Sequence, residues 1–220
     1  MKFQAVIFDL DGTLLDTLTD IADSMNTVLA RFGFPTHPVN AYRYFTGGGT
    51  EYLVKLSLPE KHRDNQTVSK CLTAHKKEYQ KRWANNTKPY DGIPELLDGL
   101  EKLGLPKAVL SNKPDEFTQI MVKTLLPRWS FSTICGEQPE IPRKPDPSAA
   151  LEIARRLKIP PEKFLYLGDS NTDMQTANSA GMYAVGVLWG FRTAEELLAN
   201  GAKILIKTPL DVLPLINERP

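Results

Sequence analysis

The chain has 220 residues, with 27 Lys plus Arg against 26 Asp plus Glu and a formal net charge of +1. That length holds one large domain, or one domain with an insertion, and either buries a core without staples; the balanced charge gives no general electrostatic reason to bind nucleic acid or an anionic membrane and favours a small ligand. The two cysteines, Cys71 and Cys135, lack a close Cys or His partner at zinc-like spacing and read as reduced, structural thiols of a reducing compartment.

Phe3, Ala5, Val6, Ile7 and Phe8 form a short apolar run stopped by Asp9 and Asp11 and closed by the turn signal Asp11-Gly12, which predicts a buried first strand. The run is too short for a signal sequence, and no later run approaches membrane-spanning length, so a cytoplasmic location is expected by elimination. Leu18, Ile21, Ala22, Met25, Val28, Leu29 and Phe32 then recur at steps of three and four, one face of a helix that Gly33 and Pro35 end. Helical texture continues to about Trp83, broken at Thr46-Gly47-Gly48-Gly49 and Pro59, with no strand expected between Asp16 and Lys88. His37, His62 and His75 scatter through this segment and are expected at its surface.

From Pro94 the pattern alternates: a helix to Leu103, a strand at Ala108-Val109-Leu110, a helix from Phe117 to Leu125 and a strand from Phe131 to Cys135. A loop rich in proline follows (Pro139, Pro142, Pro145, Pro147), then a helix through Ala149, Leu151, Ile153, Ala154 and Leu157. Strands are expected at Phe164–Leu167 and Tyr183–Leu188, and a weaker one at Ile204–Ile206. The sum is an α/β fold, a doubly wound, mostly parallel, Rossmann-like sheet with an inserted α-helical cap domain. Residues 1–15 and 89–220 would form the core and 16–88 the cap, with hinges at Leu14 to Thr17 and near Asn85 to Pro89.

Ligands of such a sheet bind outside the carboxyl ends of its strands. Asp9 and Asp11 follow the first strand, Ser111 and Asn112 the second, Lys144 lies in the proline-rich loop, and Asp169 with Asp173 follows Leu165-Tyr166-Leu167-Gly168. If extended geometry persists, Asp9 and Asp11 project to one side. Like charges that close raise each other's pKa unless a cation intervenes, and clustered carboxylates without His or Cys suit Mg²⁺ rather than zinc. Gly12 would let backbone N–H groups turn toward an anion, Ser111 and Asn112 offer neutral donors, and Lys144 is a point charge of the kind used on phosphates. A carboxylate attacking a phosphate dianion from about 4 Å faces roughly 8 kcal/mol of repulsion at an effective dielectric near 20, about six decades in rate, so both cations would be requirements.

The segments Asp9-Leu10-Asp11-Gly12-Thr13, Ser111-Asn112, Lys144 within Arg143-Lys144-Pro145-Asp146-Pro147, and Gly168-Asp169-Ser170-Asn171-Thr172-Asp173 resemble, in order and interval, the four motifs of the haloacid dehalogenase superfamily. Ser111-Asn112-Lys113-Pro114 and the tail Gly186-Val187-Leu188-Trp189-Gly190-Phe191-Arg192 resemble its phosphoglycolate phosphatase-like branch. The resemblance covers nearly the whole chain and departs from many relatives at Ser111, where they carry Thr. It implies that Asp9 attacks phosphorus to give an aspartyl phosphate, that Asp11 protonates the leaving alkoxide and later activates water, and that Ser111 and Lys144 hold the phosphoryl oxygens. It further implies that Asp9, the Asp11 carbonyl and Asp169 ligate Mg²⁺, with Asp173 and Ser170 in support. Asp173 could equally serve as a first-turn acid of a helix beginning near Asn171.

In relatives with this arrangement, a loop such as Thr46-Gly47-Gly48-Gly49 chooses the substrate, and Arg43 and Lys55 could meet a second anionic group. The expected substrate is a small phosphorylated metabolite, with 2-phosphoglycolate leading. The alternatives are a phosphomutase of the beta-phosphoglucomutase type, a pyrophosphatase, and a regulatory protein that kept the fold without activity. No nucleic-acid or membrane partner is expected, and the chain would act as a monomer or small homo-oligomer.

Overall fold

In the computed structural model, which describes residues 2–217, the chain begins with β1 (Ala5–Phe8), β2 (Leu15–Asp16), α1 (Leu18–Arg31), α2 (Tyr42–Phe45), α3 (Thr50–Ser57), α4 (Asn65–Arg82) and β3 (Lys88–Pro89). It continues through α5 (Ile93–Lys102), β4 (Lys107–Pro114), α6 (Asp115–Leu125), β5 (Thr133–Glu137), α7 (Ser148–Leu157), β6 (Phe164–Gly168), α8 (Asn171–Ser179), β7 (Tyr183–Val187), α9 (Ala194–Ala199), β8 (Ile204–Ile206) and α10 (Val212–Asn217). Two compact units result, one holding the residues up to Leu15 and from Pro89 onward, the other holding Asp16–Lys88.

The first unit is an α/β fold around a six-stranded parallel sheet in the order β5-β4-β1-β6-β7-β8. Strands covered by helices on both faces are apolar throughout, and β1 accordingly has no exposed residue. The chain leaves β1 for β4 and β5 on one side, then returns to β6 on the other, so β1 marks the switch point where such sheets bind ligands. Register turns this topology into a site: Phe8 pairs with Val109 and with Leu167, so the residues next along all three strands emerge together.

Helix faces seal the sheet. Ile93, Leu96, Leu97 and Leu100 of α5 are fully buried at helical spacing, behind Gly92 at φ +86°, a left-handed conformation costly for a residue with a Cβ. Ala149, Ala150, Ile153 and Ala154 of α7 join Ala108, Leu110 and Tyr166 in one apolar cluster, where small side chains let the helix approach closely. Each fully buried Leu or Ile there contributes roughly 1.5–3 kcal/mol.

The second unit is all-helical apart from the strand residues at its two ends. Ile21, Ala22, Met25, Val28 and Leu29 of α1 and Val68, Cys71 and Tyr79 of α4 supply most of its apolar interior, with Leu53 and Val54 of α3. Asp20, buried in the first turn of α1, accepts hydrogen bonds from Asn86 N (2.9 Å) and Nδ2 (2.8 Å) and from Thr87 N (2.9 Å) and Oγ1 (2.7 Å). This clasp ties the start of the insert to its end.

Several expectations change. β4 runs on to Pro114 rather than ending at Leu110, with an irregularity between those residues, and β5 starts at Thr133 rather than Phe131. The strands β2 and β3 are two residues each, too short for any hydrophobic period to announce. His75 is buried and stacks on Tyr79 at 5.7 Å instead of lying at the surface, and His37 Nε2 sits 2.8 Å from the Ser57 carbonyl. Among the described residues no helix is long and apolar enough to cross a membrane.

Candidate active site

Asp9 is the first residue past β1 and Asp169 the first past β6, and with Phe8 paired to Leu167 the two acids leave neighbouring strands one register position apart at the same edge of the sheet. Asp173 joins them from the first turn of α8, and ligand atoms of the three lie within 4.8 Å of one another. All three are nearly inaccessible: Asp9 is 7% exposed, Asp169 1% and Asp173 0%. Burial on that scale is tolerated only with compensation.

Lys144 supplies one part of it. Its Nζ donates to Asp9 Oδ1 at 2.8 Å, to Asp173 Oδ1 at 2.7 Å and to the Leu110 carbonyl at 2.9 Å, which uses all three ammonium protons. Burial pulls the Lys144 pKa down, but Asp173 and Asp9 more than offset it and lift the group well above its ordinary value, so the lysine stays charged. Asp9 is pushed up to about 7, first by burial, then by Asp173, with Lys144 pulling it back. Asp169 is raised well above the usual carboxylate range by burial, then by Asp9 and Asp173.

One ammonium against three carboxylates leaves the ionised cluster short of positive charge. An all-carboxylate oxygen set of this compactness suits a hard divalent cation, which would favour the ionised forms that burial resists. The donor chemistry therefore fits a divalent metal site.

The Asp11 carboxylate does not join the cluster, whereas the Asp11 contribution expected at the metal is its backbone carbonyl. The strand ends at Phe8, Leu10 bends, and Gly12 turns at φ +85°, so the extended geometry expected to aim Asp9 and Asp11 together does not persist. The Asp11 carboxylate instead meets Lys113 Nζ, 3.0 Å from each oxygen. The like charge that raises Asp9 most is accordingly Asp173, ahead of Asp11.

Two residues expected to help line an anion pocket also make bonds within the protein. The Gly12 N–H donates to the Leu15 carbonyl at 2.9 Å and so is not turned outward; the residue is glycine because a Cβ there would collide with the Asp169 carboxylate. The Asn112 side chain is engaged in both directions with the Lys144 backbone, donating to its carbonyl at 3.0 Å and accepting its N–H at 2.9 Å, which fixes the loop that delivers the lysine. Ser111 lies next to it within β4, at the irregularity after Leu110, its hydroxyl accepting the Lys113 N–H at 3.2 Å.

Asp173 turns out to have two tasks that the sequence reading set side by side. One oxygen takes Lys144, and the other receives the Ser170 N–H at 3.1 Å while Ser170 Oγ caps the α8 N-terminus. This capping box locks the acid's rotamer. Ser170 thus supports the cluster through Asp173.

Arg43, in α2, and Thr46 to Gly48, in the turn between α2 and α3, belong to the other unit, where Thr46 Oγ1 donates to the Arg43 carbonyl at 3.2 Å. Gly48 leaves no room for a Cβ against the Tyr52 ring. Lys55 follows in α3.

Sequence reasoning missed three contributors. Lys113 had no assigned task, and nothing in its spacing could have paired it with Asp11. Thr13 Oγ1 donates to Asp169 Oδ1 at 3.2 Å, and the Phe191 N–H donates to Asp169 Oδ2 at 2.7 Å. A backbone N–H leaves no mark on residue type.

A family model described as haloacid dehalogenase-like hydrolase matches residues 6–187. Among curated proteins, the N-acetylmuramic acid 6-phosphate phosphatase of Pseudomonas aeruginosa is 32% identical, over 99% of this chain and 96% of its own length. A phosphoglycolate phosphatase of Pseudomonas savastanoi pv. phaseolicola is 30% identical over 95% of this chain and 78% of its own. A crystal structure from Lactobacillus delbrueckii subsp. bulgaricus superposes with a TM-score of 0.93 at 32% identity, covering 99% of this chain and 100% of that one.

Proposed function

This chain belongs to the haloacid dehalogenase-like hydrolase family, and from that premise we propose that it is a Mg²⁺-dependent phosphatase that hydrolyses a small phosphate monoester through a phosphoaspartate on Asp9. The observation that carries the reading is the buried Asp9, Asp169 and Asp173 cluster clamped by Lys144 at the carboxyl ends of adjacent strands. A structural ion pair needs one carboxylate per lysine. A site that receives a divalent cation uses the surplus.

In this reading an Asp9 carboxylate oxygen attacks phosphorus and the ester P–O bond breaks, while Asp11, entering the step protonated and released from Lys113, gives its proton to the departing alkoxide. Water then attacks the aspartyl phosphate, passing a proton back to Asp11 as the bond to Asp9 breaks and inorganic phosphate leaves. Lys144 orients Asp9 and faces the charge that develops on the phosphoryl oxygens, with Ser111 beside it. Held by Asp9 and Asp169, with Asp173 supporting, Mg²⁺ would supply charge neutralisation for an attack that electrostatic repulsion otherwise forbids. Dividing one displacement into two is what the covalent step contributes.

The leading substrate is 2-phosphoglycolate, supported by the Pseudomonas savastanoi relative. N-acetylmuramic acid 6-phosphate is a second reading, favoured by the relative that matches almost end to end. Both carry a carboxylate besides the phosphate, and we assign its recognition to the insert, through Arg43 and the turn Thr46-Gly47-Gly48. The insert would act as a cap, and the site of action would be cytoplasmic.

A panel of phosphate esters assayed with Mg²⁺ for released phosphate tests the proposal, with Asp9→Asn as control. Turnover of a monoester that chelation abolishes and Asp9→Asn lowers by at least about a thousand-fold is expected. A requirement for a bisphosphate activator would identify a phosphomutase, and turnover of pyrophosphate alone a pyrophosphatase. Silence across the panel would overturn the enzymatic reading.

A further inference from the structure

Lys144 holds Asp9 and Asp173, but Asp169 is held in a different way. Its Oδ1 accepts the Thr13 hydroxyl at 3.2 Å and its Oδ2 accepts the Phe191 N–H at 2.7 Å, both neutral donors. Such donors fix a carboxylate without spending its charge, whereas a lysine there would compete with a metal for it.

Phe191 belongs to the segment Leu188-Trp189-Gly190-Phe191-Arg192 between β7 and α9, which is fastened along its length. The Leu188 N–H donates to the Ile206 carbonyl at 3.0 Å, Trp189 Nε1 donates to the Thr13 carbonyl at 3.0 Å, and Arg192 Nε bonds Glu196 Oε1 at 3.1 Å. Gly190 has no room for a side chain: a Cβ would stand 2.6 Å from the Gly12 carbonyl oxygen and would strike Asp169. The Asp169 side chain is therefore packed between the backbones of Gly12 and Gly190. Trp189 touches neither Asp9, Asp169 nor Asp173 in these bonds, yet its indole N–H pins the segment to Thr13, the residue that holds the other oxygen of Asp169.

The geometry points to Trp189-Gly190-Phe191 as a positioning strap that sets the affinity of the acidic cluster for its divalent cation, with Trp189 the positioning residue. The inference rests on the metal-binding reading of the cluster. By seating the Phe191 N–H on Asp169, the strap fixes the carboxylate's rotamer before a cation arrives, so little ordering remains to be done on binding. Partners of metal ligands at one remove typically change affinity by about 10–100-fold.

Trp189→Phe deletes the indole donor while keeping an aromatic ring, and Gly190→Ala forces the strap off Asp169. Binding of Mn²⁺ to the full-length, substrate-free proteins is read by electron paramagnetic resonance, with circular dichroism and thermal denaturation reporting the fold. The exposed Glu195→Gln serves as control. Trp189→Phe should fold as wild type and bind Mn²⁺ about tenfold more weakly, Gly190→Ala more weakly still, and Glu195→Gln unchanged. In turnover, Trp189→Phe should raise the Mg²⁺ concentration for half-activation about tenfold while kcat at saturating Mg²⁺ stays within about twofold; a general loss of structure would lower kcat at every concentration. A folded Trp189→Phe with wild-type Mn²⁺ affinity overturns the strap and leaves the proposed function standing. Absence of Mn²⁺ binding by the wild type overturns both.

Discussion

Three carboxylates around one lysine make the stability of the metal-free protein depend on pH, and Asp9 shows in which direction. The folded protein holds the Asp9 proton up to a pKa of about 7 against the ordinary 3.8, with burial the first cause. Stability from this group is therefore greatest below about pH 4 and is lost as pH rises toward 7, because ionising Asp9 costs more inside than in the unfolded chain. Asp9→Asn cannot ionise. Without metal it should gain on the wild type between pH 4 and 7 by roughly 2–4 kcal/mol in urea denaturation; a pH-independent difference would refute the buried charge. Lys144→Met removes the lysine that binds Asp9 and Asp173, and a loss of about 3–5 kcal/mol is expected, partly restored by Mg²⁺. Stability unchanged on that substitution above pH 7, where Asp9 is ionised, would contradict the ion pairs.

Residue types told much of this in advance. Asp9 and Asp169 are legible because acids just past apolar strands are costly unless used, and Lys144 is legible only beside them, as the cation of a loop that follows another strand, β5. The contact of Asp11 with Lys113 was not legible, because the period of a strand does not carry past Phe8 into the turn. Phe191 was illegible for another reason, since it works through a backbone N–H that every residue has; Asn112 was read as a donor, but not its bonds to the Lys144 backbone.

At the scale of elements, the parallel sheet was readable since strands buried on both faces are apolar runs, while β2 and β3 escape any periodicity by being two residues long. The Asp20 clasp was equally hidden, as it joins the first turn of α1 to Asn86 and Thr87 across 66 and 67 positions. Charge-assisted bonds to a buried carboxylate are among the stronger hydrogen bonds, so Asp20→Ala should cost about 3 kcal/mol. Hydrogen exchange should show the loss in the amides of α1 and α4 and leave β1 and β6 protected. Equal loss in both units would mean that the clasp is not local to the insert.

Over the whole molecule, the balanced charge and the two units divide the work suggested for the chain: chemistry at the sheet's switch point, choice of substrate in the helical insert. The covalent role of Asp9 is the claim on which this depends. It is tested most directly by the stereochemical course at phosphorus, using the best monoester of the panel made chiral with oxygen isotopes and turned over with Mg²⁺. Two in-line displacements, to Asp9 and then to water, predict retention of configuration; inversion would mean that water attacks the ester directly and would contradict the phosphoaspartate.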